Sequence, residues 1–99
     1  MNIERTENGE EIILTVEGRV DANTSRELQD AIITAFQSAN KLVVDFAKVD
    51  YVASAGLRAL LLGQKTAVSK AGCMKLAHVA EAVMEVLNMT GFASILTIE

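Results

Sequence analysis

The sequence is poor in the residues that usually carry enzyme chemistry. It has one cysteine, Cys73, and one histidine, His78. A single cysteine cannot form an internal disulfide or a thiolate cage for a metal, so the chain fits a reducing compartment. No acidic cluster has metal-ligand spacing, and no glycine-rich phosphate loop is present. We therefore expect no metal, no cofactor and no catalytic residue in this chain.

Long apolar runs and basic clusters are also missing. The longest apolar stretch, Ala59 to Gly63, is far too short to span a bilayer, and the N-terminus has no apolar signal-peptide region. The net charge is −4 and the nine Lys and Arg residues are scattered, whereas nucleic-acid binding needs clustered cations. We expect a cytoplasmic, monomeric protein with no membrane insertion and no nucleic-acid partner.

What the chain does have is apolar residues in regular patterns. About half of its 99 residues are apolar (51%), which is enough to form the core of one small domain spanning residues 1–99. Short apolar runs alternate with helical patterns, and this alternation predicts the order β-β-α-β-α-β-α-β. We expect an α/β fold: a mostly parallel sheet of about five strands, with an N-terminal antiparallel edge hairpin, packed by about three main helices.

The predicted elements have the following bounds. The predicted strands are Ile3–Thr6, Ile12–Val16, Leu42–Phe46, a short Tyr51-Val52 strand, Met74–Ala77 and Ile95–Ile98. Asn8-Gly9 forms the turn between the first two strands. The apolar run Leu42–Phe46 is typical of a strand that is buried on both faces. The helices are Thr24 to about Ala39 with a stop at Asn40, Ser54 to about Ala71-Gly72, and Glu81–Met89 closed by Gly91.

Two loops of this arrangement should meet in space. Residues 24–27 (Thr-Ser-Arg-Glu) have the capping-box pattern, in which Thr24 and Glu27 cap the first helix. That assignment leaves Asp21 free for another task. Asp21 and Ser54 both follow strands and precede helices, and the carboxyl ends of parallel strands share one edge of the sheet. We therefore expect Asp21 and Ser54 to be near neighbours.

Ser54 is the most informative residue of the chain. One interpretation is a simple N-cap, a position that favours serine. This interpretation does not explain Gly56, because glycine in a first helical turn costs roughly 1 kcal/mol against alanine and indicates a close backbone approach. With the small neighbours Ala53 and Ala55, an accessible hydroxyl at a helix start is well suited to carry a phosphate.

A serine hydrolase is the weakest interpretation. A nucleophilic serine needs an adjacent base, and His78 follows a different strand. The hydrolase elbow Gly-x-Ser-x-Gly requires a glycine at the position of Val52. We therefore interpret the protein as a non-enzyme.

Four segments in order along the chain resemble the STAS fold family in its single-domain form, the bacterial anti-sigma factor antagonists. They are residues 18–24 (Gly-Arg-Val-Asp-Ala-Asn-Thr), 43–52, Ser54-Ala55-Gly56-Leu57 and 87–92. The resemblance covers nearly the whole chain and implies the STAS fold. It also implies that the serine two residues before the glycine, Ser54, is the phosphorylation site.

The resemblance further implies a partner switch. The unphosphorylated protein binds an anti-sigma factor that is also a serine kinase, which releases a sigma factor for transcription. Phosphorylation of Ser54 ends the binding, and a metal-dependent serine phosphatase restores it. On this basis we expect the partner-binding surface to comprise Asp21, Asn23, Thr24, Ala53, Ala55, Gly56 and Arg58.

The chain departs from the family pattern at one position. Well-known members carry an aspartate directly before the acceptor serine, where this chain has Ala53. We therefore do not expect an acid at this position to hold the kinase, although the acceptor serine is retained. The alternative function is a STAS scaffold subunit of a membrane transporter, in which Ser54 is only an N-cap.

Overall fold

The computed structural model describes residues 1–99, and its elements follow the predicted order. The strands are β1 (Asn2–Asn8), β2 (Glu11–Val20), β3 (Lys41–Val52), β4 (Cys73–Ala77) and β5 (Thr97–Ile98). The helices are α1 (Ser25–Ser38), α2 (Ser54–Ser69) and α3 (Glu81–Thr90), followed by a 3-10 helix at Phe92–Ser94 that the sequence did not indicate.

The five strands form one sheet in the order β1-β2-β3-β4-β5. β1 runs antiparallel to β2, and the other three pairs are parallel. The predicted mixed sheet with an antiparallel N-terminal hairpin is therefore confirmed. Because each parallel strand is added on the same side of the previous one, right-handed crossovers place α1, α2 and α3 on one face of the sheet.

The core lies on the helix-covered face. The buried side chains of β2 and β3 alternate with partly buried or exposed ones, and they join the apolar sides of all three helices in one cluster. The alternate residues Ile13 and Val43 are only partly buried and lie outside this cluster. The prediction that Leu42–Phe46 is buried on both faces is wrong, because no helix covers the second face.

Both strands that lead to the candidate site are longer than predicted. β3 is one strand where the sequence indicated two, and β2 continues through Gly18, which has φ 114°. The register between the two strands shifts near Val16 and again near Gly18, so bulges interrupt the regular alternation of apolar and polar residues. The interrupted alternation made residues 17–20 of β2 and 47–50 of β3 resemble loops.

The remaining differences lie at element ends. α1 ends at Ser38 and Ala39 is extended, so Asn40 does not stop the helix. Gly91 closes α3 in the left-handed conformation (φ 82°), as its position after the helix predicted. The 3-10 helix follows directly and delays β5 to Thr97.

Candidate functional site

The loops that carry Asp21 and Ser54 are joined by a backbone hydrogen bond. The N–H of Ala53 donates to the carbonyl oxygen of Val20, with a nitrogen–oxygen distance of 2.8 Å. Val20 and Ala53 directly precede Asp21 and Ser54, so the carboxyl ends of β2 and β3 are held side by side. The structure therefore brings together the two segments in which the sequence located its candidate residues.

Ser54 is the first residue of α2, and its side chain is exposed. Ala53 occupies the N-cap position with an extended backbone, and α2 has no side-chain capping hydrogen bond. The interpretation of Ser54 as an N-cap is therefore wrong. Its hydroxyl group makes no capping contact and stands at the positive end of the α2 dipole.

Gly56 allows α2 to pack closely against both strands. A Cβ atom at this position would lie 2.5 Å from Val20 Cγ1 and 3.1 Å from Val52 Cγ1. The sequence indicated that something lies close to the backbone at Gly56, and the structure shows that the close neighbours are Val20 of β2 and Val52 of β3. Gly56 is buried, whereas Ala53 and Ala55 are partly exposed and Arg58 is exposed. Gly56 positions the serine and presents no side-chain surface of its own.

The capping box predicted for α1 is not formed. Thr24 is at the N-cap position, but its side chain makes no capping bond. Its hydroxyl group instead accepts the N–H of Asp21 at 2.9 Å and donates to the carbonyl oxygen of Arg19 at 2.7 Å. Thr24 turns away from Glu27 because these two backbone groups at the end of β2 need partners as the chain turns into α1.

Asp21 supports the same turn and is not free, contrary to the sequence interpretation. Its Oδ1 accepts the N–H groups of Asn23 at 3.0 Å and Thr24 at 3.2 Å. The hydrogen bond from the N–H of Asn23 is the main cause that lowers the pKa of Asp21 below 3.8, and Thr24 and Arg19 lower it further. Asn23 is exposed beside this carboxylate.

Sequence reasoning missed two residues at this edge, Arg19 and Tyr51. They are paired across β2 and β3, and the Arg19 guanidinium lies 4.3 Å from the centroid of the Tyr51 ring. Arg19 Nε is also 3.7 Å from Asp21 Oδ2. Tyr51 is 44% exposed, so the pair contributes cationic and aromatic surface near the carboxyl ends of β2 and β3. Only the register of the two extended strands brings these residues together, and no local sequence pattern indicates it.

The site has no arrangement suited to nucleophilic catalysis. The Nδ1 atom of His78 lies 3.2 Å from Asp45 Oδ1, so the one histidine is engaged with a side chain in the middle of β3. Ser54 has no hydrogen bond to a base. An exposed hydroxyl without a base can accept a group that another protein transfers to it, but it is not activated to attack a substrate.

The comparisons with known proteins agree with this fold. The family model described as "Mlab, STAS domain" matches residues 3–97. The chain belongs to the STAS domain family. A relative from Bordetella bronchiseptica, provisionally named anti-sigma factor antagonist BtrV, is 31% identical over 85 residues, which cover 85% of this chain and 73% of that protein.

Solved structures show the same fold at lower identity. A Thermotoga maritima protein described provisionally as an anti-sigma factor antagonist has a TM-score of 0.89 and 18% identity, covering 97% of this chain and 84% of that one. The anti-sigma factor antagonist SpoIIAA in its unphosphorylated form has a TM-score of 0.76 and 16% identity, covering 99% and 87%. A phosphorylated form of SpoIIAA from Bacillus gives 0.75, with 17% identity and coverage of 99% and 91%.

The fold is also found in a different setting. A sulfate transporter family protein from Wolinella succinogenes has a TM-score of 0.79 and 16% identity, covering 92% of this chain and 75% of that one. The STAS fold alone therefore does not distinguish between these functions. No helix of the present structure has both the length and the apolar character needed to cross a membrane.

Proposed function

We propose that this protein is an anti-sigma factor antagonist that switches partners through Ser54. The unmodified protein binds an anti-sigma factor that is a serine kinase, and thereby frees a sigma factor. The observation that carries this proposal is the exposed hydroxyl group of Ser54, which is uncapped and held at the start of α2 beside the Asp21 turn. The antagonist name of the 31% identical relative supports the same assignment.

The proposed reaction is a phosphoryl transfer in which this chain is the substrate. The Oγ atom of Ser54 forms a bond to the γ-phosphorus of ATP, the bond to the ADP oxygen breaks, and the hydroxyl proton leaves to a base of the kinase. A metal-dependent serine phosphatase then hydrolyses the new bond and restores the hydroxyl group. Phosphorylation adds roughly −1.5 to −2 charges at one exposed point.

The proposed partner surface surrounds this point. Its exposed or partly exposed members are Asp21, Asn23, Thr24, Ala53, Ala55 and Arg58. Gly56 belongs to the same site as the buried residue that lets α2 approach β2. Because α2 already starts at Ser54 and its N–H groups favour an anion, the switch requires no refolding. A change of a few kcal/mol separates the partners, since each 1.4 kcal/mol is about tenfold in affinity.

Incubation with ATP and a cognate anti-sigma factor kinase tests the proposal. We expect one phosphate at Ser54, none in Ser54→Ala, and one in the matched control Ser25→Ala, because Ser25 is also the first residue of a helix. Ser54→Asp should weaken kinase binding. Phosphate elsewhere on the chain, or wild-type affinity in Ser54→Asp, would contradict the proposal.

The alternative is a scaffold subunit of a membrane transporter, which the transporter-family neighbour of the same fold favours. In that function Ser54 has no regulatory role. Affinity purification of the tagged wild-type chain and of Ser54→Asp separates the two functions. Recovery of the same transporter subunits with both variants would favour the scaffold, and recovery of a kinase with the wild type alone would favour the switch.

A further inference from the structure

Arg58 is the one arginine of this protein that has no acidic partner. Arg5 pairs with Glu7, Arg19 with Asp21 and Arg26 with Asp30, at 3.2, 3.7 and 3.4 Å between nitrogen and oxygen. Arg58 is exposed and takes part in no ion pair. Acidic residues outnumber basic ones in this chain, which has a net charge of −4. Even so, Arg58 lacks the acidic partner that each of the other three arginines has.

Arg58 lies one helical turn after Ser54 on α2. Residues at i and i+4 project from the same face of a helix, about 5–6 Å apart at Cβ. An acid that precedes a cation at this spacing is the favourable orientation. The unpaired guanidinium and the uncapped hydroxyl group of Ser54 are therefore neighbours on one exposed surface.

The rest of α2 offers Arg58 no competing acid. Within Ser54–Ser69 the charged residues are Arg58 and Lys65, and the first turn contains no acidic residue. Ala53, directly before the helix, is also uncharged. A phosphate on Ser54 would be the first anion within reach along this helix.

We propose that Arg58 is the internal partner of the phosphate, pairing with phosphorylated Ser54 across one turn of α2. This inference rests on the proposed phosphorylation of Ser54. The guanidinium can donate two parallel hydrogen bonds to phosphate oxygens. Phosphorylation then has two effects at the partner surface: it adds negative charge, and it withdraws the exposed cation that an acidic group of the partner would contact.

The pairing can be measured without kinase or partner. Phosphoserine is incorporated at position 54 during synthesis, and the second ionisation of the phosphate, ordinarily near pH 6, is followed by phosphorus-31 NMR. A guanidinium beside the phosphate favours the dianion and lowers this pKa. We expect Arg58→Gln to raise it by about 0.4 pH units, the equivalent of an exposed i,i+4 ion pair.

Two control variants make the measurement specific. Lys65→Gln removes the same charge from the same helix two turns further on, and it should leave the phosphate pKa within about 0.1 pH units of wild type at physiological salt. Arg58→Lys keeps the charge without the planar fork and should give an intermediate value. Circular dichroism verifies that each variant is folded.

Three results would overturn the proposal: no difference between Arg58→Gln and wild type, equal shifts for Arg58→Gln and Lys65→Gln, or a wild-type value in which the phosphate is harder to ionise than in Arg58→Gln. None of these results depends on whether a kinase acts on Ser54. Failure of the internal pair is thereby distinguished from failure of the proposed function, which the kinase assay tests.

Discussion

The N–H of Ala53 donates a 2.8 Å hydrogen bond to the carbonyl oxygen of Val20. This bond joins the last residue before α2 to the last residue of β2. It fixes the turn that contains Asp21 beside Ser54, and Gly56, in the first turn of α2, packs against the same valine. The position of Ser54 beside the Asp21 turn thus depends on contacts of its neighbours that involve none of its own side-chain atoms.

Gly56→Ala should destabilise the protein. The new methyl group would meet Val20 Cγ1 at 2.5 Å, and Val20 is fully buried (0% exposed) with a stiff branched side chain. Overpacking costs about 1 to 3 kcal/mol, which outweighs the gain of up to about 1 kcal/mol in helix propensity. Urea denaturation should give a net loss of about 1 to 2 kcal/mol.

A double-mutant cycle identifies the cause. Val20→Ala leaves a cavity when made alone, but it makes room for the methyl group in the Gly56→Ala background. We expect the second substitution to cost less in that background than in the wild type. Additive costs, or a stabilised Gly56→Ala single variant, would refute the steric explanation.

Thr24→Val should destabilise the turn between β2 and α1. Valine keeps the shape of threonine but leaves the N–H of Asp21 and the carbonyl oxygen of Arg19 without their partner. An unsatisfied, part-buried polar group costs about 1 to 2 kcal/mol. Thr24→Ser retains the hydroxyl group and is the matched control in the same denaturation experiment. Equal stabilities of the valine and serine variants would show that these hydrogen bonds contribute nothing.

Asp21 should contribute stability that depends on pH. Its pKa is below 3.8 in the folded protein, chiefly because the N–H of Asn23 donates to its carboxylate. The unfolded chain therefore binds the proton more readily. The contribution is complete above the unfolded pKa and is lost as the pH falls through the lower folded pKa.

Thermal unfolding of wild type and Asp21→Ala from pH 2 to pH 7 measures this contribution. We expect the variant to melt at a lower temperature at pH 7, and the difference in melting temperature to narrow as the pH falls towards 2. Asp30→Ala, which removes a carboxylate from an exposed surface ion pair, should change the profile little. A constant difference between wild type and Asp21→Ala at all pH values would contradict the assignment.

Ala71→Gly should stabilise the protein. Ala71 follows α2 with φ 56°, and its N–H donates to Val68 while that of Gly72 donates to Ala67, the Schellman arrangement. Glycine adopts this left-handed conformation without the strain that a Cβ brings. We expect a gain of about 0.5 to 1 kcal/mol.

The neighbouring residue supplies the control for this prediction. Lys70 is also exposed but has φ −95°, a conformation that lysine adopts without strain. Lys70→Gly should therefore destabilise the protein slightly, because glycine has more freedom to lose on folding. A gain for Lys70→Gly as large as that for Ala71→Gly would indicate a cause other than backbone strain.

Local pattern predicted the elements well where one face of each is apolar. The helical spacing of Leu28, Ile32 and Phe36 placed α1, and all three are buried. Asn8-Gly9 located the hairpin turn, and Gly9 has the expected positive φ of 67°. These features depend on residues close together in sequence, so they can be deduced without knowing what the chain folds against.

The same reasoning failed where a side chain had two competing partners. The hydroxyl group of Thr24 could bond either to the N–H groups of its own helix or to backbone groups at the end of β2. It bonds to the N–H of Asp21 and the carbonyl oxygen of Arg19 because β2 continues through Gly18 to Val20. The cluster of Arg19, Tyr51 and Asp21 could not be predicted from the sequence for a similar reason. Its members come from two strands whose register includes bulges, and no local pattern encodes a register.

The sequence by itself determined the order of the elements, the sheet class and the exposed position of Ser54. Apolar periodicity and the small residues around the serine are local properties of the sequence, so they do not depend on contacts with distant parts of the chain. Only the tertiary structure decided what Gly56 and Asp21 do. Gly56 packs against Val20 because β2 and β3 end side by side, a long-range relationship fixed by core packing. Asp21 holds the turn before α1 because the path of the chain from β2 into α1 brings the N–H groups of Asn23 and Thr24 to its carboxylate.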